Sequence, residues 1–203
     1  MRVHILGSSG MLGNYMRSYL MDKYSCVFYT RKDFDASKDI YNLEKISIEG
    51  GDIVINCMGV IKPRIKEVGE ANTILTNSVF PHLLSEYCKA KTCRLYHITT
   101  DCVFSGHKGK YKEGDEHDVS DLYGVSKSLG EPEDCCVIRT SIIGEEKKNK
   151  RSFIEWAKSE KGNVIFGFSN HYWNGVTCLE LTKVLHRFIE ENIFWLGTRH
   201  IFT

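Results

Sequence analysis

Val3-His4-Ile5-Leu6-Gly7-Ser8-Ser9-Gly10-Met11-Leu12-Gly13 decides the architecture of this chain. Its first four residues form an apolar run, after which Met11, Leu12, Tyr15, Met16, Tyr19 and Leu20 recur at helical spacing. Between the two patterns the glycines stand as GxxGxxG, not as the GxGxxG of the standard dinucleotide fingerprint. Residues without side chains let a pyrophosphate approach a helix N-terminus, where free N–H groups and the helix dipole favour an anion. The third glycine lets helix and strand pack closely. A glycine triplet alone is a common turn. Placed between a strand and a helix, it predicts a dinucleotide site.

Outward from that loop, short apolar runs alternate with helical patterns, as in a parallel sheet covered on both faces. Strands are expected at Val3–Leu6, Cys26–Tyr29, Ile53–Cys57, Arg94–Thr99 and Cys135–Arg139, with a short one at Val164–Phe166 and a last one near His200. Helices are expected at about Met11–Lys23, Glu67–Lys89, Leu122–Leu129, Phe153–Ser159 and Leu179–Glu191. The polar stretch Ser105–Asp121 has no periodicity, and loops of that length in compact domains are usually functional. The expected fold is therefore α/β, a Rossmann-type doubly wound parallel sheet. Residues 1–144 would form the NAD(P)-binding domain and 145–203 a partial substrate-binding region.

A formal net charge of +1 argues against a nucleic-acid partner or an anionic membrane surface, both of which need a clear basic excess. Lys147, Lys148, Lys150 and Arg151 form the dense basic stretch, read as a solvated loop. No apolar run approaches the roughly 18 residues that span a bilayer. Met1 leads directly into a strand pattern with no signal segment, so a cytoplasmic protein is expected. The eight cysteines make no CxxC pair, and Cys57, Cys135 and Cys178 lie in apolar runs where a thiol behaves as a small hydrophobe. No metal site is expected.

The second strand ends in Thr30-Arg31-Lys32, where a dehydrogenase that reads NAD commonly carries an acid. A guanidinium there suits the adenosine 2′-phosphate of NADP(H), through paired hydrogen bonds. Asp33 and Asp35 are near enough to keep NAD(H) possible. Tyr123-Gly124-Val125-Ser126-Lys127 places a phenol and an ammonium on one face of a helix. A nearby cation would lower the tyrosine pKa from about 10 and suit it to proton transfer. Upstream, just past the fourth strand, Thr99-Thr100-Asp101 lies at the carboxyl edge of the sheet, where such folds bind ligands. A threonine hydroxyl there can polarise a substrate carbonyl.

These segments resemble the extended short-chain dehydrogenase/reductases, and among them the dTDP-4-dehydrorhamnose reductases and related nucleotide-sugar reductases. The matching stretches are GSSGMLG at 7–13, DIVINCMGV at 52–60, TTDCVFSG at 99–106, YGVSK at 123–127 and VIRTSIIGE at 137–145. The loop Asn170-His171-Tyr172-Trp173-Asn174-Gly175-Val176-Thr177 looks like the family's substrate-side loop. The resemblance implies a catalytic set of Thr100, Tyr123 and Lys127, with Tyr123 supplying a proton while NADPH delivers hydride to C4 of a 4-keto-6-deoxy sugar. It implies a cofactor set of Gly7, Ser9, Gly10, Met11, Leu12, Gly13, Thr30, Arg31, Asn56, Met58, Gly59, Asn77, Thr99 and Lys127. It implies substrate contacts from Asp101, Val103, Phe104 and Asn174, with Arg139 on the strand leading to the substrate side.

Cys102 departs from the pattern, standing where relatives often carry an aromatic. Relatives also continue beyond the point matching His200-Ile201-Phe202, so the substrate-side region is expected to be shortened. On that reading the chain would bind NADPH, turn substrate over slowly unless another chain completes the site, and tend to self-associate. Tyr172 and Trp173 have packing against the last helix as their other reading. Another nucleotide-sugar epimerase or dehydratase of the same superfamily, or a non-catalytic cofactor-binding regulatory subunit, are the competing functions.

Overall fold

The computed structural model describes residues 1–146, 150 and 152–202. In chain order its elements are β1 (Val3–Leu6), α1 (Met11–Leu20), β2 (Cys26–Tyr29), β3 (Ile53–Asn56), α2 (Ile65–Val68), α3 (Glu70–Ile74), α4 (Phe80–Ala90), β4 (Arg94–Thr100), α5 (Leu122–Ser128), β5 (Cys136–Thr140), β6 (Ile142–Ile143), α6 (Phe153–Ser159), β7 (Val176–Thr177), α7 (Cys178–Glu190) and β8 (Gly197–His200). Six strands form one sheet in the order β2-β1-β3-β4-β5-β8, every pair parallel. The chain reverses its direction of travel across the sheet between β1 and β3, and crevices at such reversals are where open α/β sheets bind ligands.

The strands are apolar on both faces because both are covered. On one face Val3, Ile5, Ile53, Ile55, Tyr96 and Ile138 pack under Leu12, Met16 and Leu20 of α1 and Leu181, Leu185 and Ile189 of α7. On the other, Leu6, Val54, Leu95 and Val137 pack under Phe80, Leu84 and Cys88 of α4. The last strand β8, expected near His200, pairs with β5 and gives the sheet its sixth strand, while α7 covers one face.

Two expectations change. Val164–Phe166 is no strand: it pairs with nothing, and Val164 and Phe166 are 88% and 96% exposed. A β-branched run becomes a strand only where an edge is available to it. The single helix expected over Glu67–Lys89 is broken at Gly69, whose φ of +86 no helix accommodates, and widens into a π turn over Leu75–Val79 before α4. Beyond β5, the short β6 and β7 pair in parallel as a separate two-stranded sheet. Of the basic stretch, Lys147, Lys148 and Arg151 lie outside the described residues. All eight cysteines are free, and Cys88, Cys135, Cys136 and Cys178 are buried.

At the amino edge of the sheet, Asp52 joins three strands. It accepts from Arg2 N (2.7 Å), Arg2 Nη2 (2.9 Å) and His4 Nε2 (3.0 Å), while His4 Nδ1 meets the Tyr29 hydroxyl at 3.2 Å. Burial alone would raise the Asp52 carboxyl, but the N–H groups of Arg2 and Glu49 and the His4 and Arg2 side chains outweigh it and hold it well below the usual range. A carboxylate so depressed stabilises the fold above its unfolded pKa of about 3.9, and that contribution is lost as pH falls towards the folded value. Asp52→Asn should therefore cost about 1–3 kcal/mol at pH 7, from donors left unpaired, and should flatten the acid limb of stability. Urea midpoints from pH 7 down to 3 read both. An undiminished acid limb in the variant would show that Asp52 does not carry it.

Candidate active site

The glycine loop folds as its spacing requires. Gly7 holds φ +76, and a Cβ there would press on the backbone of Cys57 and Met58 at 3.1 Å. A Cβ on Gly13 would run into the Gly7 carbonyl, so helix α1 can approach β1 this closely only with glycine at that position. The Gly10 amide donates to Gly7 O at 2.9 Å, which closes the turn, and the first turn of α1 carries no acidic residue to repel an anion. Ser9 and Gly10 are exposed at this mouth, Met11 is half-buried, and Leu12 turns into the core.

Beside the loop, β3 ends at Asn56, which is fully buried. Its side-chain carbonyl accepts from Met58 N (3.0 Å) and its amide lies 3.0 Å from His97 Nδ1, so it shapes the turn that presents Met58 and Gly59. Asn77 sits on the π turn and is also fully buried. Its amide accepts from Val60 N (2.7 Å) and donates to Val60 O (2.9 Å) and Ser126 Oγ (3.1 Å). That set bolts α5 to the segment after β3. The wider π turn brings Asn77 into this position, and such turns recur at functional sites. Sequence reading placed Asn77 near the cofactor; its partners here make it a positioning residue.

Thr100 ends β4 and caps the turn Asp101–Val103, accepting from Cys102 N at 3.1 Å and donating to Asp101 Oδ1 at 3.3 Å. Helix α5 starts beside it because the Asp121 carboxylate caps Gly124 N at 3.1 Å. A Cβ at Gly124 would clash with Cys102 O and Val119, so this glycine lets α5 close on the turn. The Thr100 side chain acts on the Tyr123 phenol, favouring its charged form, so the two stand near one another at the carboxyl edge of the sheet. One turn on, Lys127 is 5% exposed, and its ammonium donates to Ile98 O at 3.4 Å. Gly59 faces that ammonium: a Cβ there would stand 3.7 Å from Lys127 Nζ.

The electrostatics differ from the sequence expectation. Burial, with the Cys102 thiol next, pushes the Tyr123 phenol up to about 12, not down. Burial likewise takes Lys127 down to about 8, against an upward pull from Glu131. Desolvation disfavours both charged forms, so the phenol keeps its proton, the state a proton donor needs. Burial also raises the Asp101 carboxyl.

Of the other named residues, Thr30 bonds the Asp33 carboxylate through its N–H (2.8 Å) and hydroxyl (2.7 Å), which ties Asp33 to the end of β2. Arg31 is exposed and 3.7 Å from Asp35. Val103 is buried, and Phe104 stacks on Tyr111 at 4.3 Å between centroids, beneath the Arg139 guanidinium. Tyr172 is 93% exposed and does not pack on α7, whereas Trp173 donates to Ser141 Oγ at 2.8 Å. Ser141 also lowers the Asp101 carboxyl, so the loop carrying Asn174 is tied by Trp173 to a residue near the Thr100 end of the site that sequence reading passed over. Its signal was its place directly after β5.

These residues fit a nicotinamide dinucleotide. The glycine cradle is open, the Lys127 ammonium has three donors and one long bond, and Thr99 Oγ1 and Ser8 Oγ are buried without a hydrogen-bond partner. Among the described residues no helix is long and apolar enough to cross a membrane.

Comparison with known proteins agrees with this layout. The chain is 27% identical over 148 residues to dTDP-4-keto-6-deoxy-D-glucose reductase of Streptomyces niveus, covering 68% of this chain and 51% of that protein. It is 30% identical over 155 residues to dTDP-4-dehydrorhamnose reductase of Mycobacterium tuberculosis, covering 70% and 50%. It thus spans about half the length of the curated relatives it matches. The fold superposes on dTDP-4-dehydrorhamnose reductase from Yersinia enterocolitica with TM-score 0.83 at 22% identity, covering 99% of this chain and 74% of that one. On the Bacillus anthracis reductase in complex with NADP the score is 0.81 at 21% identity, covering 100% and 74%. The family model described as RmlD substrate binding domain matches residues 1–164, and the chain belongs to that family.

Proposed function

We propose that this chain is an NADPH-dependent reductase of a 4-keto-6-deoxy nucleotide sugar, with residues 1–144 holding the cofactor and 145–203 contributing to the substrate side. The observation that carries the reading is the meeting of Thr100 and Tyr123 above a buried Lys127, beside an open glycine cradle. The relatives named as dTDP-sugar reductases, and the one solved with NADP, support it. Gly7, Gly10 and Gly13 would admit the pyrophosphate, Met58, Gly59 and Thr99 would line the nicotinamide side, and Lys127 would hold the ribose. Bound there, NADPH supplies a hydride. Thr100 orients the keto oxygen, and Tyr123 passes its proton to that oxygen as C4 accepts the hydride, so the carbonyl becomes an alcohol. Asp101, Phe104 and Asn174 would face the sugar. The protein would act in the cytoplasm, with a homo-oligomer as its assembly.

Arg31 would read the 2′-phosphate, because Asp33 is tied to Thr30 and no acid stands free at the end of β2. Arg31→Ala should then weaken NADPH by about 1.5–3 kcal/mol and leave NADH nearly unchanged. Fluorescence titration with each cofactor measures this, and equal losses would show that Arg31 does not discriminate. NADPH consumption with a dTDP-4-keto-6-deoxy sugar tests the activity itself.

A further inference from the structure

Behind the substrate side of the site, five residues from three parts of the chain converge on one cation, Arg139. Arg139 of β5, 2% exposed, donates to both Glu131 oxygens, from Nε at 3.1 Å and Nη2 at 2.6 Å. The same guanidinium donates to His117 Nε2 at 2.8 Å and to His200 Nε2 at 3.0 Å, and it reaches Glu113 O at 3.3 Å. The Phe104 ring lies under it, 5.1 Å from the guanidinium carbon, with both histidine rings edge-on to the phenyl. Arginine has only donors, so each Nε2 must offer a lone pair. His117 therefore carries its proton on Nδ1, which donates to Ser128 Oγ at 2.5 Å.

The loop that hangs on this cation is bound within itself. Asp118 accepts from Ser105 N (2.7 Å), Ser105 Oγ (2.6 Å) and the Tyr111 hydroxyl (2.9 Å), and Lys108 pairs with Asp115 at 2.7 Å. It meets the rest of the molecule through Phe104, His117, Glu113 (which accepts from His200 N at 3.2 Å) and Val119 against Gly124 of α5. We propose that His117 and His200, in their neutral forms, are positioning residues that hang the 104–120 loop on Arg139, and that protonating either one releases the loop from the substrate side of the site. This rests on the reductase reading only for its effect on catalysis.

Charged groups face both rings. His117 faces Glu131, Arg139 and Asp118; His200 faces Arg139, Glu113, Glu131 and Asp101. Asp118 is pushed down to about 2 by Ser105, and backbone N–H groups hold Glu113 below its ordinary value, so both remain anionic. Burial lowers both histidines; at His117 Glu131 pulls upward and Arg139 downward, at His200 Arg139 adds to burial against Glu113, and the net direction favours the neutral rings. A lowered histidine loses its stabilising contribution as pH falls through the unfolded value of about 6.5 towards the folded one. Protonation puts an N–H against a guanidinium. The contact then repels.

Hydrogen exchange of peptides covering 104–120, corrected for intrinsic rate, should accelerate about tenfold or more between pH 7.5 and 5.5 in the wild-type chain. Peptides of β1 and β3 should stay unchanged. In the His117→Gln/His200→Gln variant, an amide oxygen still accepts from Arg139 but cannot titrate, and the acceleration should fall to less than about twofold. With turnover, the wild-type acid limb should appear in KM more than in kcat, and should shrink in the same variant. A wild-type loop whose corrected exchange does not change with pH overturns the proposal, as does an acid response that the double variant keeps. Absence of turnover would remove the reductase reading and leave the exchange result standing.

Discussion

Tyr123→Phe should lower kcat about 10²- to 10⁴-fold while leaving NADPH affinity within about twofold. On the proposed reading the phenol gives its proton to the carbonyl oxygen, and burial keeps it protonated with a pKa pushed up to about 12. Phenylalanine keeps the ring and therefore the packing of α5 against the Asp101–Val103 turn. The lost atom is the phenol hydroxyl beside Thr100. On the same reading Lys127, a turn away, would still hold the cofactor, so binding and chemistry should separate in this variant. Single-turnover decay of NADPH fluorescence with a dTDP-4-keto-6-deoxy sugar reads the chemical step, and equilibrium titration reads binding. Parent-like turnover in the variant would show that proton delivery comes from elsewhere.

Glu131→Ala should be the most costly of these substitutions to the fold, by about 3–5 kcal/mol. Its side chain is 6% exposed and that of Arg139 3%, so removing the carboxylate leaves a cation deep in the protein with only neutral acceptors. Removing both members of such a pair is far less damaging than removing one, because no charge is then stranded. The double substitution Glu131→Leu/Arg139→Met should therefore recover much of the loss. Urea denaturation of the parent, both single variants and the double variant forms the cycle that isolates the coupling. A single Glu131→Ala loss below about 1 kcal/mol would show that water reaches the guanidinium and that the pair is not desolvated.

Much of the molecule was legible in residue order alone. The strand at Val3–Leu6, the glycine turn, the start of the first helix and the run at Ile53–Asn56 lie where their patterns put them. Their signals are local: periodicity, β-branching, and glycines at positions that allow no Cβ. The candidate set Thr100, Tyr123 and Lys127 was legible for a related reason. Two of the three share one helix face, and the third ends a strand recognisable by its composition.

What tertiary structure decided was every property that depends on what lies across from a residue. Gly69, with φ +86, and the π turn broke the expected helix over Glu67–Lys89, and the π turn carries Asn77 to Val60 and Ser126. Val164–Phe166 had β-branched residues and no edge to join, while Gly197–His200 became a strand by pairing with β5. The lysine four residues from Tyr123 suggested a lowered phenol pKa, yet burial raised it, since desolvation is set by the whole surroundings and not by spacing. The Arg139 cluster is the clearest case. Phe104, Glu113, His117, Glu131, Arg139 and His200 share no motif, and only the folding of β5 and β8 side by side, with the long loop laid over them, brings five of them round the sixth.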